Sequence, residues 1–81
     1  MDISFDAAKN ARNIPARGIS FERALAFEWD SALIVADTRR NYGELRFQGF
    51  GLIAERLHVV VFTPRSGKTH IISLRKANNA R

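Results

Sequence analysis

The stretch LHVVVFTPRSGKTHIISL at residues 57–74 determines the fold, because it places two strand-like runs on either side of a tight loop. Residues 57–63 are apolar on both faces apart from His58, which is typical of a central strand that is covered on both sides. Residues 64–67 have the composition of a hairpin loop, and residues 69–74 return as a second strand. The sequence therefore predicts an antiparallel hairpin in the middle of a sheet.

Both histidines of the chain lie in this hairpin and are candidates for acid–base chemistry. If Thr63 pairs with Thr69 across the loop, His70 lies opposite Phe62, about 13 Å along the sheet from His58. The two imidazoles are then too far apart to act as a pair. His70, close to the loop, is the better candidate, and His58 is interpreted as a packed core residue.

Three strand signals precede the hairpin. Residues 32–37 are apolar and β-branched, and residues 45–53 alternate between apolar and polar positions after a turn signal at residues 41–43. Gly49 and Gly51 in the alternating run predict a bulge or a strong bend. Residues 3–5, near the N-terminus, are predicted to form a short edge strand.

Two helices are predicted between the first strand and the others. Asp6 is placed to cap a helix over residues 7–13, which Pro15 disturbs and Gly18 ends. Ser20 is placed to cap a second helix over residues 21–28. Its buried stripe is expected to follow the four-residue spacing of Phe21, Leu25 and Trp29, with Ala24 and Phe27 beside it.

The predicted order is thus β-α-α-β-β-β-β, with residues 75–81 as a short C-terminal helical stub. This order predicts an α+β domain over residues 1–81, in which two N-terminal helices pack on one face of an antiparallel sheet. Both sheet faces carry apolar residues, and two helices cover only one of them. We therefore expect the other face to bind a partner chain.

Composition excludes several classes of protein. The 81 residues are 46% hydrophobic and contain no cysteine, so disulfides, cysteine–zinc sites and thiol catalysis are excluded. Even the longest apolar runs, such as residues 32–36 and 59–62, are too short to span a membrane, and the N-terminus lacks the pattern of a signal peptide. We expect a cytoplasmic protein without a metal or other cofactor.

Positive charge is concentrated in the second half of the chain. The net charge is +5, made of −1 over residues 1–31 and +6 over residues 32–81. Residues 63–81 contain five basic residues and no acidic one. Such a one-sided field attracts polyanions, of which nucleic acid is the commonest. A solvated basic surface and a docking face for an acidic protein are the alternatives.

A basic cluster around the hairpin is the candidate phosphate-binding site, and it comprises Arg65, Lys68, His70, Arg75 and Lys76. An arginine can bind a phosphate through two parallel hydrogen bonds and can stabilise the charge of a phosphoryl transition state. Alternatively, Arg65 and Lys68 only solubilise an exposed hairpin. The few carboxylates of this half are too dispersed to predict a magnesium site, and residues 64–69 lack the first glycine and the following helix of a P-loop.

Several segments are similar, in order, to the BrnT family of toxins. FDAAKN at residues 5–10 and GISFE at residues 18–22 resemble the opening of that family. DTRRNYGELR at residues 37–46 resembles its central Asp-x-Arg-x-x-Tyr-Gly-Glu-x-Arg stretch. TPRSG at residues 63–67 and IISLRKAN at residues 71–78 resemble its closing pattern.

The resemblance implies a RelE-like fold and a bacterial type II toxin that cleaves RNA. Cleavage in such toxins proceeds without a metal, by attack of the ribose 2′-hydroxyl on the adjacent phosphate. The implied partner is a BrnA-type antitoxin, in a hetero-oligomer of two toxins with two antitoxins, and the toxin alone is expected to form a homodimer. No membrane association is implied.

The expected site residues combine the basic cluster with the resemblance. The residues expected to act in catalysis are Arg65, His70, Arg75 and Lys76. Those expected to bind substrate are Arg46, Lys68, Arg39 and Arg40. Two other functions remain open on the same fold, a non-catalytic module that binds nucleic acid or protein and a structural subunit whose basic face docks an acidic partner.

Overall fold

The computed structural model describes residues 1–77, and these form one α-helix and a five-stranded sheet. The strands are β1 (Ile3–Phe5), β2 (Leu33–Ala36), β3 (Phe47–Ile53), β4 (Arg56–Arg65) and β5 (Lys68–Lys76), and the helix α1 covers Ala7–Arg17. Two 3₁₀ segments, Phe21–Ala26 and Trp29–Ser31, connect α1 to β2. The strands lie in the order β1-β5-β4-β3-β2. Within residues 1–77, no helix is long and apolar enough to cross a membrane.

The central hairpin formed by β4 and β5 is confirmed, but its register differs by one residue from the prediction. Arg65 pairs with Lys68, and Thr63 lies opposite His70 instead of Thr69. The reason is the turn, which consists only of Ser66 and Gly67, both with positive φ, at 54° and 74°. This two-residue turn matches the twist of the strands, so the strands continue through Pro64 and Arg65, which the sequence had assigned to the loop.

The predicted second helix is wrong, because residues 21–26 form a 3₁₀ segment. Ser20 does cap it, accepting a hydrogen bond from the backbone N–H of Glu22. However, the buried residues Phe21, Ala24 and Phe27 recur every three positions, whereas Leu25 is 62% exposed. A three-residue repeat aligns side chains on one side of a 3₁₀ helix. Within residues 1–77 the fold is therefore α+β with a single α-helix, not two helices on a sheet.

The sheet is mixed, which also corrects the expectation of an antiparallel one. Strand β1 is an edge strand as predicted, but it pairs in parallel with β5, with Phe5 beside Ile71. At the other end of the chain, residues 75–76 of the expected helical stub belong to β5, and the N–H of Ala77 donates to the carbonyl of Leu57. The remainder of the expected stub, residues 78–81, lies outside the described residues.

Helix α1 has the two predicted capping residues, Asp6 and Gly18. Asp6 accepts hydrogen bonds from the N–H groups of Ala8 and Lys9, and Gly18 ends the helix in the left-handed conformation. The helix continues four residues beyond the predicted end, through Pro15 to Arg17. The missing proline N–H costs little here because the carbonyl that it would have met belongs to Ala11, an exposed residue that water can reach.

The core lies between one face of the sheet and the N-terminal elements. Its buried members are Ile19, Phe21, Ala24, Phe27, Ile53, Val60, Ile71 and Leu74. The ring of Phe27 lies on Gly49 and Gly51 of β3, where a Cβ at Gly51 would come within 2.7 Å of the ring. β3 keeps a regular register with both of its neighbours, so the predicted bulge in this strand is wrong. The irregularity lies instead where β5 meets Val61 and Phe62 of β4.

Substitution of Gly51 by alanine should lower the free energy of unfolding by about 1–3 kcal/mol, because the new methyl group overpacks the site under Phe27. Chemical denaturation of the purified variant measures this effect. Adding Phe27→Leu to Gly51→Ala should recover part of the loss relative to the sum of the two single variants. A Gly51→Ala protein as stable as the wild type would show that the ring does not require a glycine beneath it.

The opposite face of the sheet, called here the open face, carries a different set of side chains. Because pairing residues share a face, the register assigns to it Val59 with Arg75, Val61 with Ser73, and Thr63 with His70. The part of this face on β2, β3 and β4 carries an apolar patch of five residues: Leu33, Val35, Phe50, Leu52 and Leu57. Arg75, His70 and the apolar patch therefore lie on the same face of the sheet.

Candidate nucleic-acid interface

Four arginines from separate parts of the chain line one cavity of about 280 Å³ on the open face. This arginine cavity is lined by Arg17, Arg39, Arg46 and Arg75, with Gln48, Ser73, Val59, Val61 and Ile72. The four arginines come from the end of α1, the loop between β2 and β3, which carries both Arg39 and Arg46, and β5. No carboxylate belongs to this lining within the described part of the chain. The cavity therefore presents guanidinium groups above an apolar floor, an arrangement that favours phosphate.

Of the four arginines, Arg75 has the backbone that the sheet holds most firmly in place. Its backbone lies in β5 beside Val59, which is 4% exposed, so the sheet holds its Cα in place. Among residues 1–77 it forms no salt bridge, and its side chain makes only a long 3.4 Å hydrogen bond to the Lys76 carbonyl. Its charge is therefore available to an anionic ligand.

Arg39 is held rigidly by Asp37. Its Nε and one terminal nitrogen donate to the two oxygens of the Asp37 carboxylate, each at 2.7 Å. The carboxylate side chain is fully buried, whereas that of Arg39 is 62% exposed. The hydrogen bonds from Arg39 lower the pKa of Asp37 to about 2, so the pair stays ionised at neutral pH. Arg39 thus presents a positioned guanidinium whose remaining donors face outward.

Arg46 is positioned by an aromatic ring and a carboxylate. Its guanidinium carbon lies 4.0 Å from the centroid of the Tyr42 ring, in a cation–π contact. Its Nε donates to Glu44 at 3.2 Å, and the other oxygen of Glu44 accepts from Arg65 at 3.0 Å. These bonds from Arg65 and Arg46 lower the pKa of Glu44. Glu44 therefore joins the arginine cavity to the end of the hairpin.

His70 lies at that hairpin end, on the open face. Its Nδ1 is 2.9 Å from the hydroxyl oxygen of Ser4 on the neighbouring strand. Burial lowers the pKa of His70 below the ordinary value of 6.5, and the nearby Arg65 lowers it further, whereas Glu44 raises it. The imidazole is consequently neutral at pH 7 and can accept a proton.

Two substitutions should move the pKa of His70 in opposite directions. Glu44→Gln removes a negative charge and should lower it, whereas Arg65→Gln removes a positive charge and should raise it. NMR titration of the imidazole Cε1–H signal measures both. Arg12→Gln, which removes a cation from the exposed side of α1, serves as the control. Shifts of the same sign in the Glu44 and Arg65 variants would contradict the described cluster.

The structure distributes the sequence-predicted residues over three places. Arg39, Arg46 and Arg75 line the arginine cavity. Arg65 and His70 lie at the hairpin end, joined to the cavity through Glu44. Lys68, the first residue of β5, pairs with Arg65 and therefore lies at the same hairpin end. The remaining two lie apart: Arg40 on the outer loop, and Lys76 on the opposite face of the sheet. The predicted cluster is therefore not a single site.

Sequence reasoning missed Arg17, Gln48, Ser73 and Tyr42. Arg17 precedes the glycine that ends α1, and a basic residue in the last turn of a helix was the available signal. Gln48 and Ser73 face the cavity because both pair with Val61. Only the sheet register brings them together, so no local pattern could have identified them.

No group of three potential metal ligands among histidine, aspartate and glutamate converges within residues 1–77. The ionisable groups on the open face are mainly arginines, which bind anions directly. The fold and this cavity define a small α+β protein with an arginine-lined cavity on one face of its sheet.

Comparison with solved structures shows the same fold in a known protein. The ribonuclease toxin BrnT of Brucella abortus superimposes with a TM-score of 0.77, and the match covers 98% of this chain and 99% of that one. The two sequences are 24% identical. A comparison with curated protein sequences gave no significant match.

A family model for "Ribonuclease toxin, BrnT, of type II toxin-antitoxin system" matches residues 5–80. The chain therefore belongs to the BrnT family of ribonuclease toxins. This membership confirms the resemblance of the sequence to that family. As a toxin of a type II system, the protein has RNA as its target and an antitoxin as its partner.

Proposed function

We propose that the chain is a metal-independent endoribonuclease whose arginine cavity binds the scissile phosphate. The observation that carries this proposal is the convergence of Arg17, Arg39, Arg46 and Arg75 on one cavity without a carboxylate in its described lining. Guanidinium groups held in place before the reaction can stabilise the additional negative charge of a phosphoryl transition state. In other nucleases a metal ion provides this stabilisation of negative charge.

The proposed step is an attack by the ribose 2′-oxygen on phosphorus. The 2′-oxygen forms a bond to phosphorus while the bond from phosphorus to the 5′-oxygen breaks. A base takes the 2′-hydroxyl proton, and the departing 5′-oxygen receives a proton from solvent. The products are a 2′,3′-cyclic phosphate and a 5′-hydroxyl end.

His70 is the proposed base. The backbones of His70 and Arg75 lie about 16 Å apart along β5, at ~3.3 Å per residue. The two groups can therefore act on one phosphodiester only when the long Arg75 side chain extends along the strand toward the hairpin end. Its neutral imidazole can donate from Nδ1 to Ser4 and leave Nε2 free to accept the proton. Arg65 is proposed to bind the RNA beside it.

If His70 removes the proton, the cleavage rate should rise with pH through its lowered pKa and level off above it. The inflection is therefore expected below pH 6.5. His70→Ala should slow cleavage and remove this inflection, as measured by single-turnover rates between pH 4.5 and 8. A profile that keeps its shape in the variant would remove His70 from the mechanism.

The activity itself is tested with a short RNA in the presence of EDTA. We expect cleavage to continue, the products to carry cyclic phosphate ends, and a 2′-deoxy substitution at the cleaved nucleotide to block the reaction. Cleavage that requires an added divalent cation would contradict the proposal. Salt-dependent binding without cleavage would instead support a non-catalytic nucleic-acid-binding module.

The proposed partner is a BrnA-type antitoxin, bound in a hetero-oligomer of two toxins and two antitoxins in the cytoplasm. The apolar patch on the open face supports a protein partner, because Leu33 and Leu57 are 62% and 46% exposed. Mass measurement of the purified complex by light scattering tests this stoichiometry.

A further inference from the structure

A second cavity, of about 470 Å³, lies on the core side of the sheet, at the end where β5 finishes. This basal cavity has a rim of three exposed cations, Arg23, Arg56 and Lys76, and its lining contains Ile19, Ile53 and His58. Its volume falls in the range of small-ligand sites. No acidic residue belongs to this lining within residues 1–77.

His58 gives the basal cavity a directed polar group. The residue is 3% exposed, and its Nδ1 lies 2.7 Å from the carbonyl oxygen of Arg56. A contact with a carbonyl requires that Nδ1 carry the proton, so Nε2 of the neutral ring is an acceptor. Nε2 makes no hydrogen bond within residues 1–77. Because every fully buried side-chain nitrogen or oxygen of these residues has a partner, Nε2 is not fully buried. Nε2 is therefore open to the cavity that His58 lines.

We propose that the basal cavity binds a nucleoside monophosphate unit. The cations of the rim match the phosphate, the apolar side chains of Ile19 and the exposed Ala54 match a base or sugar face, and His58 Nε2 accepts from a hydroxyl or a base N–H. Inorganic phosphate satisfies only the first of these three features. A simple aliphatic carboxylate offers no donor to the imidazole.

The unit is either a free nucleotide or one nucleotide of an RNA chain, and the position of the cavity favours RNA. Arg17 and Arg75 line the arginine cavity, and the residues that follow them, Gly18 and Lys76, line the basal cavity. Consecutive strand residues face opposite sides of a sheet, so the two cavities lie back to back at one end of β5. The RNA arm of this inference rests on the proposed function, and the free-nucleotide arm does not.

The experiment titrates the full chain with 5′-AMP and, separately, with an uncleavable 2′-O-methyl oligonucleotide. NMR follows the methyl groups of Ile19 and Ile53 and the imidazole of His58. We expect saturable shifts of these signals, and binding about tenfold weaker in the double variant Arg23→Gln/Arg56→Gln. Arg12→Gln removes one cation from α1, outside both cavities, and should change affinity less than about twofold.

The outcomes separate this inference from the proposed function. Saturable 5′-AMP shifts in a protein that cleaves no RNA would support the basal cavity and contradict the proposed activity. Cleavage of RNA without any saturable shift at Ile19, Ile53 or His58 would overturn the inference alone. Equal effects of inorganic phosphate and 5′-AMP would also overturn it, since the site would then recognise only an anion. Shifts with 5′-AMP and none with the oligonucleotide would assign the cavity to a free nucleotide.

Discussion

Replacing Arg75 by alanine should slow single-turnover RNA cleavage by ~10²–10³-fold while the protein remains folded. The guanidinium of Arg75 is half-buried in the arginine cavity, on a strand that fixes its backbone, and no carboxylate within residues 1–77 neutralises it. If it acts on charge that develops during the reaction, its loss should lower the turnover rate more than substrate affinity.

Two further variants make the Arg75 measurement specific. Arg75→Lys keeps the charge but loses the planar fork, and it should recover only part of the rate. Arg12→Ala removes the same charge from the exposed side of α1 and should cleave at nearly the wild-type rate. Circular dichroism confirms folding. A folded Arg75→Ala protein that cleaves as fast as the wild type would overturn the assignment.

Arg39 and Arg46 differ from Arg75 in how much of their charge is already engaged. Asp37 holds Arg39 through two hydrogen bonds, and Glu44 with the Tyr42 ring holds Arg46. Such partners fix the side chains but weaken their field at a ligand. The cavity thus combines two positioned arginines with two, Arg17 and Arg75, whose charge is not paired among residues 1–77.

The hairpin could be predicted from sequence because its strands and its turn are local patterns. Residues 57–63 and 69–74 are rich in apolar and β-branched residues, and Ser-Gly provides the turn. The register was missed by one position because a loop of four residues was assumed where Ser66 and Gly67 alone reverse the chain. A two-residue turn depends on the backbone dihedral angles of its two residues, and the composition of residues 64–67 does not determine those angles.

The prediction of a second α-helix was wrong because of a tertiary contact. The spacing of Phe21, Leu25 and Trp29 suits an α-helix, but the structure buries Phe27, whose ring occupies the space above Gly49 and Gly51. The space above Gly49 and Gly51, far downstream in the chain, therefore favours the three-residue spacing of buried side chains in the 3₁₀ segment. Nothing within residues 21–28 distinguishes the two periods.

The candidate site could be predicted only in part, because side chains that are adjacent in sequence need not lie together in the fold. Arg75 and Lys76 were grouped because they are adjacent, yet alternation along a strand sends adjacent side chains to opposite faces. That rule was available from the sequence and separates the two residues. The helix end showed only that Arg17 is a basic residue. Its place in the arginine cavity depends on how α1 packs beside β5, where Asn13 donates to the carbonyl of Leu74.

Placing aspartate at both Leu33 and Leu57 should weaken antitoxin binding by at least ~100-fold, because two apolar contacts are replaced by charges that must lose water. Both residues belong to the apolar patch, on either side of Phe50 and Leu52 of β3. A specific interface buries more than about 1,000 Å², which requires the patch and its surroundings together. Isothermal titration calorimetry of the variant against the antitoxin measures the loss.

Leu25→Asp is the matched control, since Leu25 is as exposed as Leu33, at 62%, but lies on the 3₁₀ segment in the other layer. Unchanged affinity of the Leu33→Asp/Leu57→Asp protein would show that the antitoxin binds elsewhere. The patch adjoins the arginine cavity on the open face, because Phe50 pairs with Val59 and Val59 with Arg75. A partner that covers the patch therefore reaches the edge of the cavity, so loss of binding should be accompanied by RNA cleavage that the antitoxin no longer inhibits.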